Sequence, residues 1–168
     1  MQSLIITVIG KDKPGIVDSI AKNVYQRNGN WLSSSFAHMA GMFTGFVEVQ
    51  VSEDNVDELV SSVSKIPDLD VHSISVASEQ VELSNTLTVD VMGNDKPGIV
   101  QELTSIFNQF NLNIVSFDSR CESAPAWGSM MFKARAVITV PDSFDESALQ
   151  RALENRSADL VVDISIGK

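Results

Sequence analysis

The two halves of the chain repeat one pattern of apolar and polar positions. Residues 3–10 (SLIITVIG) and 85–93 (NTLTVDVMG) are apolar runs that end in glycine, which predicts a buried strand at the start of each half. Apolar residues then recur at helical spacing, which predicts an amphipathic helix after each strand. They are Ile16, Val17, Ile20, Ala21 and Val24 in the first half, and Ile99, Val100, Leu103, Phe107 and Phe110 in the second.

Further strands and a second helix follow in each half. Asparagine-rich segments 28–30 and 111–113 are typical of helix ends, and residues 46–52 and 132–140 alternate as half-buried strands do. Lys133 and Arg135 are predicted to face away from the core. A second apolar stripe contains Val56, Leu59, Val60, Val63 and Ile66 in the first half, and Leu149 and Leu153 in the second.

The element order is therefore β-α-β-β-α-β, twice. Ser143-x-x-Glu146 resembles a capping box that opens the last helix, and residues 71–77 and 160–167 predict the final strands. One antiparallel sheet with both helices on one face buries all of these apolar stripes in a single core. The predicted fold class is therefore α+β, with two ferredoxin-like domains. We expect domains at residues 1–80 and 84–168, joined by the polar segment 78–85.

One short phrase occurs at the same place in both halves. GKDKPGIV at residues 10–17 and GNDKPGIV at residues 93–100 lie 83 residues apart. The proline suits the first turn of a helix, because an N–H group at that position would have no partner within the helix. The glycine after it is predicted to lie in the same turn, where the lack of a side chain lets another group approach the backbone.

This phrase has two interpretations. The free N–H groups of Gly15, Ile16 and Val17, with the helix dipole, can bind an anion such as a carboxylate. Asp12, and Asp95 in the second copy, can accept a bond from a ligand ammonium, so the site has the polarity of an amino acid zwitterion. The alternative is a turn that merely starts a helix, with the aspartate as its cap, copied by duplication.

Composition and charge exclude several classes of protein. The hydrophobic fraction of 43% and the charged fraction of 20% are typical of soluble globular proteins. No apolar stretch is long enough to span a membrane, and the start of the sequence lacks the features of a signal peptide, so we expect a cytoplasmic protein. The formal net charge is −10, and both halves are acidic, which argues against direct binding of nucleic acid.

The residues that most often carry chemistry are few. Cys121 is the single cysteine, so no internal disulfide is possible, and we expect a small, half-buried strand residue. His38 and His72 have no partners at metal-ligand spacing, so no metal site and no cofactor are predicted. Trp127, in an extended hairpin, suits either a partner contact or packing on the domain. Four methionines near the hairpins are expected to fill core: Met39, Met42, Met130 and Met131.

The duplicated unit resembles a pair of ACT domains, because DKPGI stands between the first strand and helix and N-x-N precedes the second strand. With the full phrase in both units and DSR at Asp118–Arg120, the chain is similar to the bacterial glycine cleavage system transcriptional repressor family. That resemblance implies a regulator that responds to a small amino acid, with glycine as the candidate. It also implies repression of glycine-cleavage genes through contact with a LysR-type DNA-binding activator rather than with DNA.

The resemblance also implies two ligand sites, each formed by the strand–helix loop of one unit and the asparagine before the second strand of the other. One site pairs Asp12 and Gly15 with Asn113, and the other pairs Asp95 and Gly98 with Asn30. Several ligand-binding relatives have a neutral residue where this chain has Asp12 and Asp95. The first unit has Ser33-Ser34-Ser35 where the second has Asp118-Ser119-Arg120, so the two sites need not be equivalent, and one can be empty. The complete predicted set is Asp12, Lys13, Gly15, Ile16, Val17, Asn30, Asp95, Lys96, Gly98, Ile99, Val100 and Asn113.

Other functions remain as alternatives. An amino-acid-sensing ACT regulator of a metabolic enzyme fits the same motifs. A catalytic role is not expected, because no nucleophile and base occur in a recognisable set. An RNA-binding module of the same element order needs basic and aromatic strands, which VEVQV and TVDVM do not supply. Sheet edges and helix faces would remain exposed after the two halves had packed together. We therefore expect a homo-oligomer that is at least a dimer.

Overall fold

The protein forms two compact units, Met1–Val81 and Glu82–Lys168, which we call the first and the second unit. Of the segment predicted to link them, residues 78–84 lie outside the described part of the chain, and Asn85 is the first residue of a strand. Trp127 also lies outside it. The computed structural model describes residues 1–76, 85–124, 126, 128–156 and 159–166.

The first unit has the predicted element order. Its four strands form one antiparallel sheet in the order β2-β3-β1-β4, so β2 and β4 are the edges of the sheet. A single 3₁₀ turn, Glu53–Asn55, precedes the second helix. The elements are β1 (Gln2–Lys11), α1 (Ile16–Gln26), β2 (Asn30–Met39), β3 (Met42–Val51), α2 (Val56–Val63) and β4 (Leu69–Val76).

The second unit repeats this topology. Its antiparallel sheet has the strand order β6-β7-β5-β8, which corresponds strand for strand to the first sheet. The ferredoxin-like arrangement predicted from the sequence is therefore confirmed in both units. The elements are β5 (Asn85–Asn94), α3 (Ile99–Gln109), β6 (Asn113–Ser123), β7 (Met130–Val140), α4 (Glu146–Arg156) and β8 (Val161–Ile166).

Each core lies between one face of the sheet and the two helices. Alternate residues of the central strands are fully buried, as the period of two requires, and they pack with the apolar stripes of the helices. The opposite face of each sheet carries no helix among the described residues of its own unit, and we call it the open face. Lys133 and Arg135 lie on the open face of the second unit, as predicted.

Packing explains the first glycine of the repeated phrase. A Cβ on Gly10 would collide with the backbone carbonyl of Asp68, in the turn that leads into β4. A Cβ on Gly93 would lie 2.8 Å from the carbonyl oxygen of Asp159 and 2.6 Å from the side chain of Leu160. Glycine is thus needed where the first strand of each unit passes under the turn before its last strand.

The loop after this glycine is held against the hairpin of the same unit. The backbone N–H of Asp12 donates to the carbonyl of Gly41 at 3.1 Å, and that of Asp95 donates to the carbonyl of Met130 at 3.0 Å. The end of the first strand, the start of the first helix and the hairpin between the next two strands therefore lie together at one end of each unit.

The expected cap of the last helix is wrong. Ser143 does not cap α4. The helix starts at Glu146, and the carboxylate of Asp145 accepts a bond from the N–H of Ala148 at 3.0 Å. Asp145 occupies the capping position because it directly precedes the first helical residue, whereas Ser143 is two residues further out with φ of +62°.

The sulfur-containing residues are less buried than expected. Cys121 is exposed rather than half-buried. Met39, Met42 and Met130 are also exposed, because the hairpin ends extend beyond the helices that cover the sheet, while Met131 is half-buried on the open face. Among the described residues, no helix is long and apolar enough to cross a membrane.

Candidate functional site

The second glycine of the phrase caps the helix instead of lying in its first turn. Gly15 and Gly98 each have φ of +88°, which is a left-handed conformation, and the helices begin at the next residue. Pro14 and Pro97 therefore lie before the helix, contrary to the prediction. The reason is the reversal of chain direction between strand and helix, which needs a positive φ that glycine adopts without strain.

These glycines also leave room at the helix start. A Cβ on Gly15 or on Gly98 would meet no atom within 4 Å. Neither cap position makes a side-chain hydrogen bond to the helix, as follows from its being glycine. The surface beside the first helical N–H groups is thus open enough for a ligand atom to approach the backbone.

The hydrogen bonds within the helices show which N–H groups remain for a ligand. The first bond of each α-helical ladder runs to the capping glycine, from Ser19 to Gly15 and from Glu102 to Gly98, both at 2.9 Å. The N–H groups of the residues between them precede the ladder, as in any helix. In the second unit, Ile99 N–H also donates to the carbonyl of Lys96, although at a long 3.4 Å.

The side chains after the cap have different exposure. Ile16 and Ile99 are buried in the cores, so each can offer only its backbone to a ligand. Val17 and Val100 are 40% and 41% exposed, and they lie one residue further along the helix. The site that these residues can form is a shallow surface with polar N–H groups and one apolar side chain.

Each aspartate of the phrase lies beside a residue that the sequence analysis did not place in the site. In the first unit, a carboxylate oxygen of Asp12 is 3.8 Å from Nε2 of His38. In the second unit, Asp95 lies close enough to Cys121 for its carboxylate to raise the pKa of the thiol. The pKa of Cys121 is raised, first by desolvation of the thiol and then by the hydrogen bond to Asp95 and its charge.

His38 and Cys121 occupy equivalent positions. His38 pairs with Phe43 in the first sheet, Cys121 pairs with Phe132 in the second, and both lie on the hairpin beside the phrase. The signal that could have found them is the repeat itself, because the two residues are 83 positions apart like the two phrases. Neither residue was predicted to lie in the site, because each is far from its aspartate in the sequence.

The two lysines of the phrase contact different parts of their units. Lys13 Nζ donates to the carbonyl of Pro67 at 2.9 Å and lies 3.4 Å from the carboxylate of Asp68. Lys96 Nζ lies 3.2 Å from the carboxylate of Glu102, in the first turns of α3. Lys13 thus joins the loop to the turn before β4, whereas Lys96 joins it to the helix that follows.

Neither asparagine lies near the phrase of its own unit. Asn30 and Asn113 are exposed, and they begin β2 and β6. They pair with Gln50 and Thr139, which in turn pair with residues at the beginning of β1 and β5. The phrase follows the other end of that strand, eight residues away, or roughly 25 Å at about 3.3 Å per residue. The pairing of each phrase with the asparagine of the other unit stays a prediction.

Comparison with known proteins gives both family and fold. A model of the ACT domain family matches residues 2–72 and 85–167. The glycine cleavage system transcriptional repressors of Escherichia coli (strain K12) and Shigella flexneri are each 24% identical, over 97% of this chain and 88% of the relative. A crystal structure of an unknown protein from Galdieria sulphuraria superposes with a TM-score of 0.85 at 22% identity, over 99% of both chains. Another, of a candidate glycine cleavage system transcriptional repressor, gives 0.70 at 22% identity over 99% of this chain and 98% of the other.

Proposed function

This chain belongs to the ACT domain family, and on that basis we propose that it is a regulatory protein that binds a small amino acid at its helix starts. One observation carries the proposal. The same arrangement of a left-handed glycine cap, an open approach and an adjacent aspartate occurs in both units.

The chemistry of the arrangement selects the ligand class. N–H groups at a helix N-terminus stabilise a carboxylate, and the aspartate two residues before the proline attracts an ammonium. A zwitterion satisfies both. In the first unit the partners are Gly15, Ile16 and Val17 for the carboxylate and Asp12, with Asn113, for the ammonium. In the second they are Gly98 and Val100 for the carboxylate and Asp95, with Asn30, for the ammonium.

We propose further that this chain, like the repressors it is similar to, represses glycine-cleavage genes in the cytoplasm, with glycine as the effector. The mode is indirect, through a LysR-type activator that binds the DNA. A net charge of −10 supports this mode, because such a protein lacks the cationic surface that provides most of the affinity for a phosphate backbone. The ligand state of the ACT units would then decide whether the activator is inhibited.

A thermal-shift series with glycine and the other common amino acids tests the ligand. An effector at about 100 times its dissociation constant should stabilise the protein by about 2.7 kcal/mol, which is readily measured. Glycine is expected to give the largest shift. The absence of a shift with every amino acid would contradict the proposal.

A mobility-shift assay tests the indirect mode separately. The purified protein alone should leave operator DNA unshifted at moderate salt, and it should change the mobility of a complex between a LysR-type activator and that DNA. A shift by the protein alone would refute indirect repression. Amino acid binding without any effect on the activator complex would favour the alternative, a regulator of a metabolic enzyme.

A further inference from the structure

A cavity of about 530 Å³ lies on the open face of the second unit, at the end next to the hairpin between β6 and β7. Met92 and Met131 provide apolar surface, Lys133 and Glu122 provide charge, and Ala124 and Ser129 of the hairpin form one side. The volume is within the range of small-molecule sites in proteins. The cavity is on the opposite face of the sheet from Cys121, and so from the helix-start site.

The two units differ in the length of the hairpin at this end of the sheet. In the first unit, two residues, Ala40 and Gly41, join β2 to β3. In the second unit residues 124–129 join β6 to β7, and Ala124 N–H bonds the carbonyl of Ser129 at 2.9 Å. At the positions of the first unit that correspond in register to Glu122 and Lys133 stand Met39 and Thr44, so the charged pair has no counterpart there.

Lys133 and Glu122 are the charged side chains that line the cavity, and the carboxylate of Glu122 is paired with two cations. Lys133 Nζ is 2.8 Å from a carboxylate oxygen of Glu122, and Arg120 forms a second ion pair with that carboxylate. The hydrogen bond from Lys133 is the main reason that the pKa of Glu122 is lowered, so this carboxylate is ionised at neutral pH. Arg135, the next cation of β7 on this face, is already paired with Asp90 at 2.7 Å.

We propose that this cavity is a second ligand site, which binds a small aliphatic carboxylate and is separate from the helix-start site. Lys133 has three donors and uses one on Glu122, so it can also bind the ligand carboxylate. The thioether side chains of Met92 and Met131 contact the aliphatic part, and methionine adapts to such ligands because it is unbranched and polarisable. An amine is disfavoured, because it would have to displace Lys133 or Arg120 from Glu122.

Methyl-labelled methionine provides the direct test. The chain has six methionines, so the NMR spectrum of the ¹³C-methyl-Met protein is simple to assign by substitution. Titration with sodium 3-methylbutanoate should shift the Met92 and Met131 signals saturably. The same concentrations of 3-methylbutylamine, which has the same branched body and a cationic head, should not. Equal shifts with the amine, or no saturable shift at these two methyl groups, would overturn the proposal.

Two variants locate the carboxylate. Lys133→Gln should weaken binding of 3-methylbutanoate by about ten- to a hundredfold, as expected for loss of a charged hydrogen-bond partner. Lys22→Gln removes the same charge from an exposed ion pair of α1 and should bind as the wild type does. In a ¹⁵N-labelled sample, shifts at the amides of Gly98 and Val100 without shifts at the two methionines would place the carboxylate at the helix start instead, and would refute a second site. If Lys133→Gln does not fold, the comparison of acid and amine on the wild-type protein decides alone.

Discussion

The two helix starts have the same backbone and different neighbours. Gly15 and Gly98 share φ of +88° and the same free approach, yet the aspartate before them faces a histidine in the first unit and a cysteine in the second. The two units therefore share the backbone geometry that exposes the N–H groups, while the side chain beside the aspartate differs. We expect both units to bind the same class of ligand with different affinity.

The open faces of the two sheets differ even more. The face of the first unit exposes apolar side chains, among them Ile9, Phe46 and Ile74, which are 43%, 49% and 68% exposed. In the second unit, the corresponding face carries the ion pairs of Arg135 and Lys133. Residues that face a core are constrained by close packing, and residues on the open face are not held by that constraint.

The largest effect is expected from valine at the helix-capping glycine. Gly98→Val should lower the unfolding free energy by about 1–3 kcal/mol, because a β-branched residue is strained at φ of +88°. It should also abolish amino acid binding in that unit, since the side chain would fill the open approach. Gly15→Val should do the same in the first unit. Calorimetric titration with glycine and urea unfolding measure the two effects.

Gly128→Val is the matched control for this strain. Gly128 has φ of +64°, and a Cβ on it would meet no atom within 4 Å, but it belongs to the hairpin and not to the helix start. The variant should lose stability and keep its ligand. If Gly98→Val and Gly128→Val bind glycine equally tightly, the helix start is not the site.

A smaller, several-fold effect is expected on the reactivity of Cys121. Asp95→Asn should accelerate alkylation by iodoacetamide at pH 8, because loss of the carboxylate charge lowers the raised pKa of the thiol and increases the thiolate fraction. Asp12→Asn, the equivalent change in the first unit, should leave the rate unchanged. The rates follow from intact-protein mass spectrometry. Equal rates for the wild-type protein and Asp95→Asn would contradict the contact.

The smallest effect concerns the acid stability of the second unit. The pKa of Glu122 is lowered from its ordinary value of 4.5, chiefly by Lys133, so its stabilising contribution is present above that value and is lost as the pH falls through the lowered one. Glu122→Gln should therefore lose slightly less stability than the wild-type protein between pH 7 and pH 3. Urea midpoints at both values measure this, with Glu154→Gln as control. An identical loss in the wild type and Glu122→Gln would show that the pair does not contribute.

The sequence pattern predicted the fold because the alternation of the strands and the helical spacing of apolar residues are both strong, and both occur in each half. Buried positions such as Val47, Val49 and Ile20 follow directly from alternation and helical spacing. The exact helix start did not follow, since Pro-Gly is compatible both with a first helical turn and with a left-handed cap. The cap at Asp145 was missed for a similar reason, because Ser143 and Asp145 are both good capping residues.

The neighbours of the aspartates could not be predicted from local patterns. His38 and Cys121 reach the loops through strand pairing, each 26 positions along the chain from its aspartate, and periodicity does not report such a contact. The cavity of the second unit is likewise lined by residues of different strands, among them the cross-strand pair of Glu122 and Lys133. To predict such features, one must know the register of the strands as well as their positions in the sequence.

Calorimetric titration of glycine into the wild-type protein, Asp12→Asn and Asp95→Asn tests the central claim most directly. Each substitution should weaken binding at one site by about ten- to a hundredfold, as loss of a charged hydrogen-bond partner does, and should leave the other site and the fold intact. The two variants should differ from each other, because the aspartates have different neighbours. If both bind glycine as tightly as the wild-type protein, the repeated phrase only starts a helix, and the account is wrong.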